Sequence, residues 1–417
     1  MATGASPPVG CGAWRRATAS AWVRGASVAL AFAAVLAAAG CQRTDKAAEA
    51  PKPSSAAAPT FVGSAKCASC HAEAAEAYRG SDHARAMQTA TEQTVLGNFD
   101  QARASHRGGT ATFFRRDGKF FVRTEGPDGK PGEFEITYTF GVTPLQQYLV
   151  PFPDGRLQAL GLAWDTRPRE AGGQRWFSLY PDVTLHPPDP LHWTGRDQTW
   201  NFQCAECHST DLRKHYDLAT NRYATTWAEL TVSCEECHGS GSAHVAWAEK
   251  RPAGSARAAP GTTGLVVRLG RGDGAWTMKD PQRGIAEWTG APRTSAEVDM
   301  CARCHARRGL IHEDHVHGQA VSDDYRVALL DDDLYYPDGQ IKGEVYEYGS
   351  FLQSRMFAEG VTCSDCHDPH RPELRTTGDN LCLKCHAEKT YFTAKHHFHP
   401  AGSSGARCVS CHMPATN

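Results

Sequence analysis

Two cysteines three residues apart, with a histidine directly after the second, recur seven times in this chain, starting at Cys67, Cys204, Cys234, Cys301, Cys363, Cys382 and Cys408. The pattern takes up fourteen of the sixteen cysteines. Three chemistries use cysteines at this spacing: zinc coordination, thiol–disulfide exchange and covalent attachment of haem. Zinc needs four ligands in a tetrahedron but no histidine beside the second cysteine. A redox dithiol occurs once, at the head of a helix in a βαβ unit, and needs no histidine either. Haem c accounts for every position, because two cysteines form thioethers with the two vinyl groups and the adjacent imidazole becomes the proximal iron ligand. The expected anchors are Cys67 and Cys70, Cys204 and Cys207, Cys234 and Cys237, Cys301 and Cys304, Cys363 and Cys366, Cys382 and Cys385, and Cys408 and Cys411. The expected proximal ligands are His71, His208, His238, His305, His367, His386 and His412.

Of the 20 histidines, 7 are used in this way, which leaves 13 for the sixth coordination positions of low-spin irons. His83, His192, His244, His317, His370 and His399 are the expected distal ligands. His370 follows His367 by three residues, too close to reach the opposite face of the same ring, so it is expected on a neighbouring haem. His244 lies six residues beyond His238 across the flexible "GSGSA" and could serve either its own haem or another. Met87 and Met413 are weaker candidates, as axial thioethers would raise the potential.

These ligands need only a modest framework. Residues 41–417 supply roughly 54 residues per haem. The expected fold is mainly α and irregular, wrapped around a haem array, with a small antiparallel β module inserted at about 108–182. In that stretch "ATFFRRDGKFFVRTEG", "FEITYTFG", "RLQALGLAWD" and "QRWFSLYP" cluster β-branched and aromatic residues between turn signals, and "RRDGKF" reads as a hairpin tip. It lies in the gap between His106 and His186, which has neither cysteine nor histidine, so the module should bind no haem itself. A haem segment at 61–107 is expected before it and a six-haem region at 183–417 after it.

The first forty residues read as an export signal of the Sec type. Arg15, Arg16 and Arg24 precede the apolar run "ASVALAFAAVLAAAG", which is short for a membrane span and stops at Cys41. A cysteine after "AAAG" resembles a lipidation site, although Ala38 stands where leucine is usual. Lipidated Cys41 would open a tether at 41–60 whose Ala, Pro and Ser cannot bury a core. Gln42 points to the outer membrane, so a periplasmic or outer-membrane-associated lipoprotein is expected.

The formal charge is −2, without a basic stripe for nucleic acid. The glycines at 254–274 lack the Gly-Lys-Ser/Thr of a P-loop, and "HEDHVHG" misses the zinc-protease pattern because Val316 stands where the second histidine belongs.

With these motifs in place, the sequence resembles the bacterial multihaem c-type cytochromes with doubled CxxCH motifs. The subgroup is often fused to tetratricopeptide repeats and is distantly related to hydroxylamine oxidoreductases. The resemblance covers roughly residues 61–414 and rests on "FVGSAKCASCH", "PLHWTGRDQTWNFQCAECHSTDLRK", "VSCEECHGSGSAH", "YEYGSFLQSRMFAEGVTCSDCHDPH" and "HPAGSSGARCVSCHMP". It implies covalent haem, mostly bis-histidine coordination and an exported location. No 34-residue helical repeat is seen in the chain, so partner recognition through such repeats is not expected. The favoured function is electron transfer along seven haems, with redox proteins, a membrane quinol-linked donor and the membrane surface as expected partners. The alternative is a reductase or dehydrogenase of a small nitrogen or sulfur compound, with one open-site haem and Tyr148, Arg156 or Arg175 facing the substrate.

Overall fold

The computed structural model describes residues 58–252, 263–267, 269, 274–343, 346–371 and 373–414. The expected signal segment, the lipidation site at Cys41 and most of the tether lie outside the described residues. No described helix is long and apolar enough to cross a membrane.

The β module is larger than its sequence signals suggest. Its first sheet is a four-stranded antiparallel meander of β2 (Ala102–His106), β3 (Gly109–Arg116), β4 (Lys119–Glu125) and β5 (Pro131–Ile136). The turn between β3 and β4 is Asp117-Gly118, with φ of 53° and 73°. Both values lie in the left-handed region that a two-residue hairpin of this type requires. The second sheet gathers β1 (Met87–Thr89), β6 (Tyr138–Phe140), β7 (Leu145–Pro151), β9 (Leu162–Asp165) and β10 (Arg175–Ser178) in the order β1-β6-β7-β9-β10, with β8 (Leu157–Ala159) also paired to β7. Residues before the expected boundary therefore enter the module, because β1 pairs with β6.

Alternation along β7 explains how the second sheet joins two cores. Tyr148 and Leu149 are both 0% exposed yet point to opposite faces. On one face Tyr148 packs with Phe99, Phe113, Phe120, Val122, Ile136 and Leu160, and the Phe113 and Trp176 rings stack at 3.5 Å. On the other, Leu149 joins Met87, Phe140, Ala159, Trp200 and Ala205, the last lying between Cys204 and Cys207. The module is thus packed directly onto the second CxxCH motif.

The remaining chain is made of short helices and loops. Its helices are α1 (Ser64–Ala68), α2 (Ala72–Arg79), α3 (Trp200–Gln203), α4 (Ala205–His208), α5 (Cys234–His238), α6 (Ser242–Glu249), α7 (Ala296–His305), α8 (Val321–Asp324), α9 (Tyr348–Leu352), α10 (Arg355–Ala358), α11 (Cys363–Cys366), α12 (Asn380–Leu383), α13 (Glu388–Tyr391), α14 (Ala394–His397) and α15 (Val409–His412). The longest has only ten residues. Helices this short are marginal alone in water, so their order depends on what they pack against.

Candidate haem-binding sites

Every CxxCH motif touches a helix, and helical geometry gives the reason. Residues at i, i+3 and i+4 share one helix face. In α5 this places Cys234, Cys237 and His238 together, and in α7 it does the same for Cys301, Cys304 and His305. At Cys363 the helix is locked by a capping box in which the Thr362 and Asp365 side chains bind each other's backbone N–H. Arg293 donates to both side chains, and the Trp276 indole donates to Asp365 at 3.1 Å.

Four motif histidines face a second histidine ring across a gap. His71 faces His244 with ring centres 6.1 Å apart and planes 22° from parallel. His238 faces His370 at 6.3 Å and 10°, His412 faces His396 at 6.0 Å and 7°, and His305 faces His83 at 6.3 Å, nearly perpendicular. Two imidazoles sharing one metal, each bonded at about 2.0–2.1 Å, have ring centres about 6 Å apart once half a ring is added on each side. These residues therefore fit a haem iron held between two histidines. A bound haem c supplies a one-electron ferric/ferrous couple at such a pair.

The second nitrogens of these rings are also held. His244 Nδ1 lies 2.8 Å from the Thr263 carbonyl and His83 Nδ1 lies 3.3 Å from that of Pro369. His208 Nδ1 lies 2.8 Å from the Ala86 carbonyl. Bonds of this kind select the tautomer that leaves Nε2 for a metal. Burial holds His208, His238, His367 and His386 below the usual imidazole range, favouring the neutral, ligating form. Burial likewise pushes the Cys67 thiol up to about 11 and Cys237 to about 12.

The structure treats the expected distal residues unequally. It brings His83, His244 and His370 opposite motif histidines belonging to other motifs. His192 instead lies against the β module, its Nδ1 2.8 Å from Thr194 Oγ1, and with His106 lines a cleft of about 50 Å³. His317 Nε2 is 3.2 Å from the Arg303 guanidinium, and burial and that charge push it down to about 3. His399 folds beside Gly405, while His396, which the sequence reading passed over, faces His412. The signal lay in "AKHHFHP", which offers three histidines and no means of ranking them. Among the described residues no second imidazole is placed opposite His208, His367 or His386; Phe140 stands beside His208 at 5.4 Å and Tyr391 beside His386 at 5.3 Å. Met87 is 1% exposed in the apolar core, and Met413 is 62% exposed.

The residues imagined over a substrate do other work. Tyr148 is a core residue whose hydroxyl accepts from Gly97 N–H at 2.9 Å and donates to Gln146 at 2.8 Å. Arg156 pairs with Asp154 at 2.7 Å, and Arg175 donates to the Gly172 carbonyl at 3.0 Å. Among the described residues no group of three or more His, Cys, Asp or Glu converges as a metal site of its own.

Two family models match the regions that carry the motifs. A family model described as cytochrome c554 and c-prime matches residues 66–110 and 191–239, and one described as a doubled CXXCH motif matches residues 355–391. No curated protein matches the chain. Among solved structures the chain is similar to an outer cell wall cytochrome, OcwA, at 16% identity and a TM-score of 0.45, covering 80% of this chain and 68% of the other. It is also similar to an undecahaem S-layer cytochrome of Carboxydothermus ferrireducens, at 17% identity and a TM-score of 0.41, covering 85% and 51%. Seven CxxCH motifs, with the cytochrome c554 and c-prime model over the first three and the doubled-CXXCH model over the fifth and sixth, support the chain as a multihaem c-type cytochrome.

Proposed function

We propose that the protein is an exported electron carrier that holds seven covalent haems and passes electrons along them, anchored to a membrane through lipidated Cys41. The observation that carries this reading is the set of four histidine pairs spaced to clasp an iron from both sides. Closing both axial positions keeps an iron low-spin and favours electron transfer over ligand chemistry. A second reading, a reductase or dehydrogenase of a small nitrogen or sulfur compound, draws on His208, His367 and His386, which have no facing imidazole among the described residues.

Two measurements on the purified protein test both. Intact mass after acid and organic extraction should report seven covalent haems, and a smaller number would remove that part of the proposal. Electron paramagnetic resonance of the oxidised protein should give low-spin ferric signals indifferent to nitrite, hydroxylamine and sulfite. A stoichiometric high-spin signal that shifts with one of them would replace the carrier with the enzyme.

A further inference from the structure

The motifs touch one another in an order that differs from their order along the chain. The first lies against the third: α1 packs on α5, and Glu235 accepts from the backbone N–H of Val62 at 2.9 Å and of Gly63 at 2.8 Å. The second lies against the fourth: α4 packs on α7, Cys207 Sγ is 4.0 Å from the Arg303 carbonyl, and Glu206 pairs with Arg308 at 3.1 Å. The third also meets the fourth through Glu236 and Arg303, a buried pair at 2.8 Å. The fifth meets the fourth as α11 packs on α7, where Ser364 donates to Glu297 from its N–H at 2.7 Å and its hydroxyl at 2.9 Å. The sixth motif starts only nineteen residues after the fifth, and it meets the seventh where the Cys408 N–H donates at 2.9 Å to Asp379, the N-cap residue of α12, which carries Cys382.

Many of these contacts use the two variable letters of the motifs. Glu206, Glu235, Glu236, Arg303 and Ser364 all lie between paired cysteines. A pair of buried charges is retained only where the partner is fixed, because removing one leaves the other uncompensated. The variable letters thus specify which motif sits beside which. Since each cysteine pair holds one edge of its haem, neighbouring motifs hold neighbouring edges.

We infer that the haems form a branched chain whose junction is the fourth motif, joined to the second, third and fifth, with the first, second and seventh haems as its three ends. The inference rests on the electron-carrier reading above. Each step moves one electron, oxidising one ferrous iron and reducing its ferric neighbour, with no proton to place. An electron travelling between the seventh haem and the second, whose motif packs on the β module, would cross the sixth, fifth and fourth and bypass the first.

Anomalous scattering at the iron edge from crystals of the intact haem-loaded protein tests the order without any variant. The expected map has seven irons. The iron of the second motif has that of the fourth as its nearest neighbour, and the fourth has three close neighbours, the second, third and fifth. Seven irons with the second nearest to the first or third, or with the fourth between only two close neighbours, would overturn the branch and leave the carrier reading standing. Fewer than seven would overturn the seven-haem reading, and loss of the fourth would overturn both.

Discussion

A histidine can close an iron's sixth position only if its ring stands opposite the proximal one across a gap of the right width, and "AKHHFHP" is where that matters most. His396 faces His412 at 6.0 Å, and His399 does not. Replacing His396 by Ala should convert one iron from low-spin to high-spin, seen as a new high-spin ferric resonance of about one equivalent. His399→Ala should leave the spectrum unchanged. The reverse result would reassign the ligand. At the cysteines, Cys237→Ser should remove one thioether, lowering the yield of fully loaded protein by intact mass while leaving the other six haems attached.

Among the elements, the short motif helices owe their order to buried polar partners rather than to length. Arg293 and Asp365 have side chains 8% and 7% exposed, and together with Thr362 they hold the first turn of α11. Arg293→Ala would remove the counter-charge of a buried carboxylate, with an expected cost of about 3–5 kcal/mol. A fall in the thermal midpoint together with loss of the fifth haem would bear this out, whereas an unchanged midpoint would mean that the cap survives without the arginine. The contact between the β module and the second motif depends on Trp200, which is 0% exposed. Trp200→Ala should cost roughly 3–5 kcal/mol by the loss of a large buried side chain. Denaturant unfolding should report that loss, and the spectral change should fall on a single haem.

For the whole molecule, location and circuit are separate questions. Cys41→Ala should move the protein from the membrane fraction to the soluble one, and unchanged fractionation would mean that another surface anchors it. Nothing in the haem count should change with that substitution, because residue 41 lies twenty-six positions before the first motif cysteine at residue 67. The β module packs on the second motif, so in the proposed circuit a partner docking there would meet the second haem first.

The sequence alone determined the covalent chemistry. Cys-x-x-Cys-His carries its own geometry, since i, i+3 and i+4 fall on one helix face wherever the helix lies, and the Asp-Gly turn needs only its neighbours to form a hairpin. Local rules also made the β module legible, though not β1, whose pairing with β6 spans about fifty residues. The facing histidines were legible as a class and not as individuals, because a ring near one motif stands opposite the histidine of another: His244 faces His71, and His370 faces His238. The order of the motifs in space was hidden for the same reason. Glu236 and Arg303 are separated by 67 residues, and only the tertiary structure, which must pair every buried charge it keeps, brought them together.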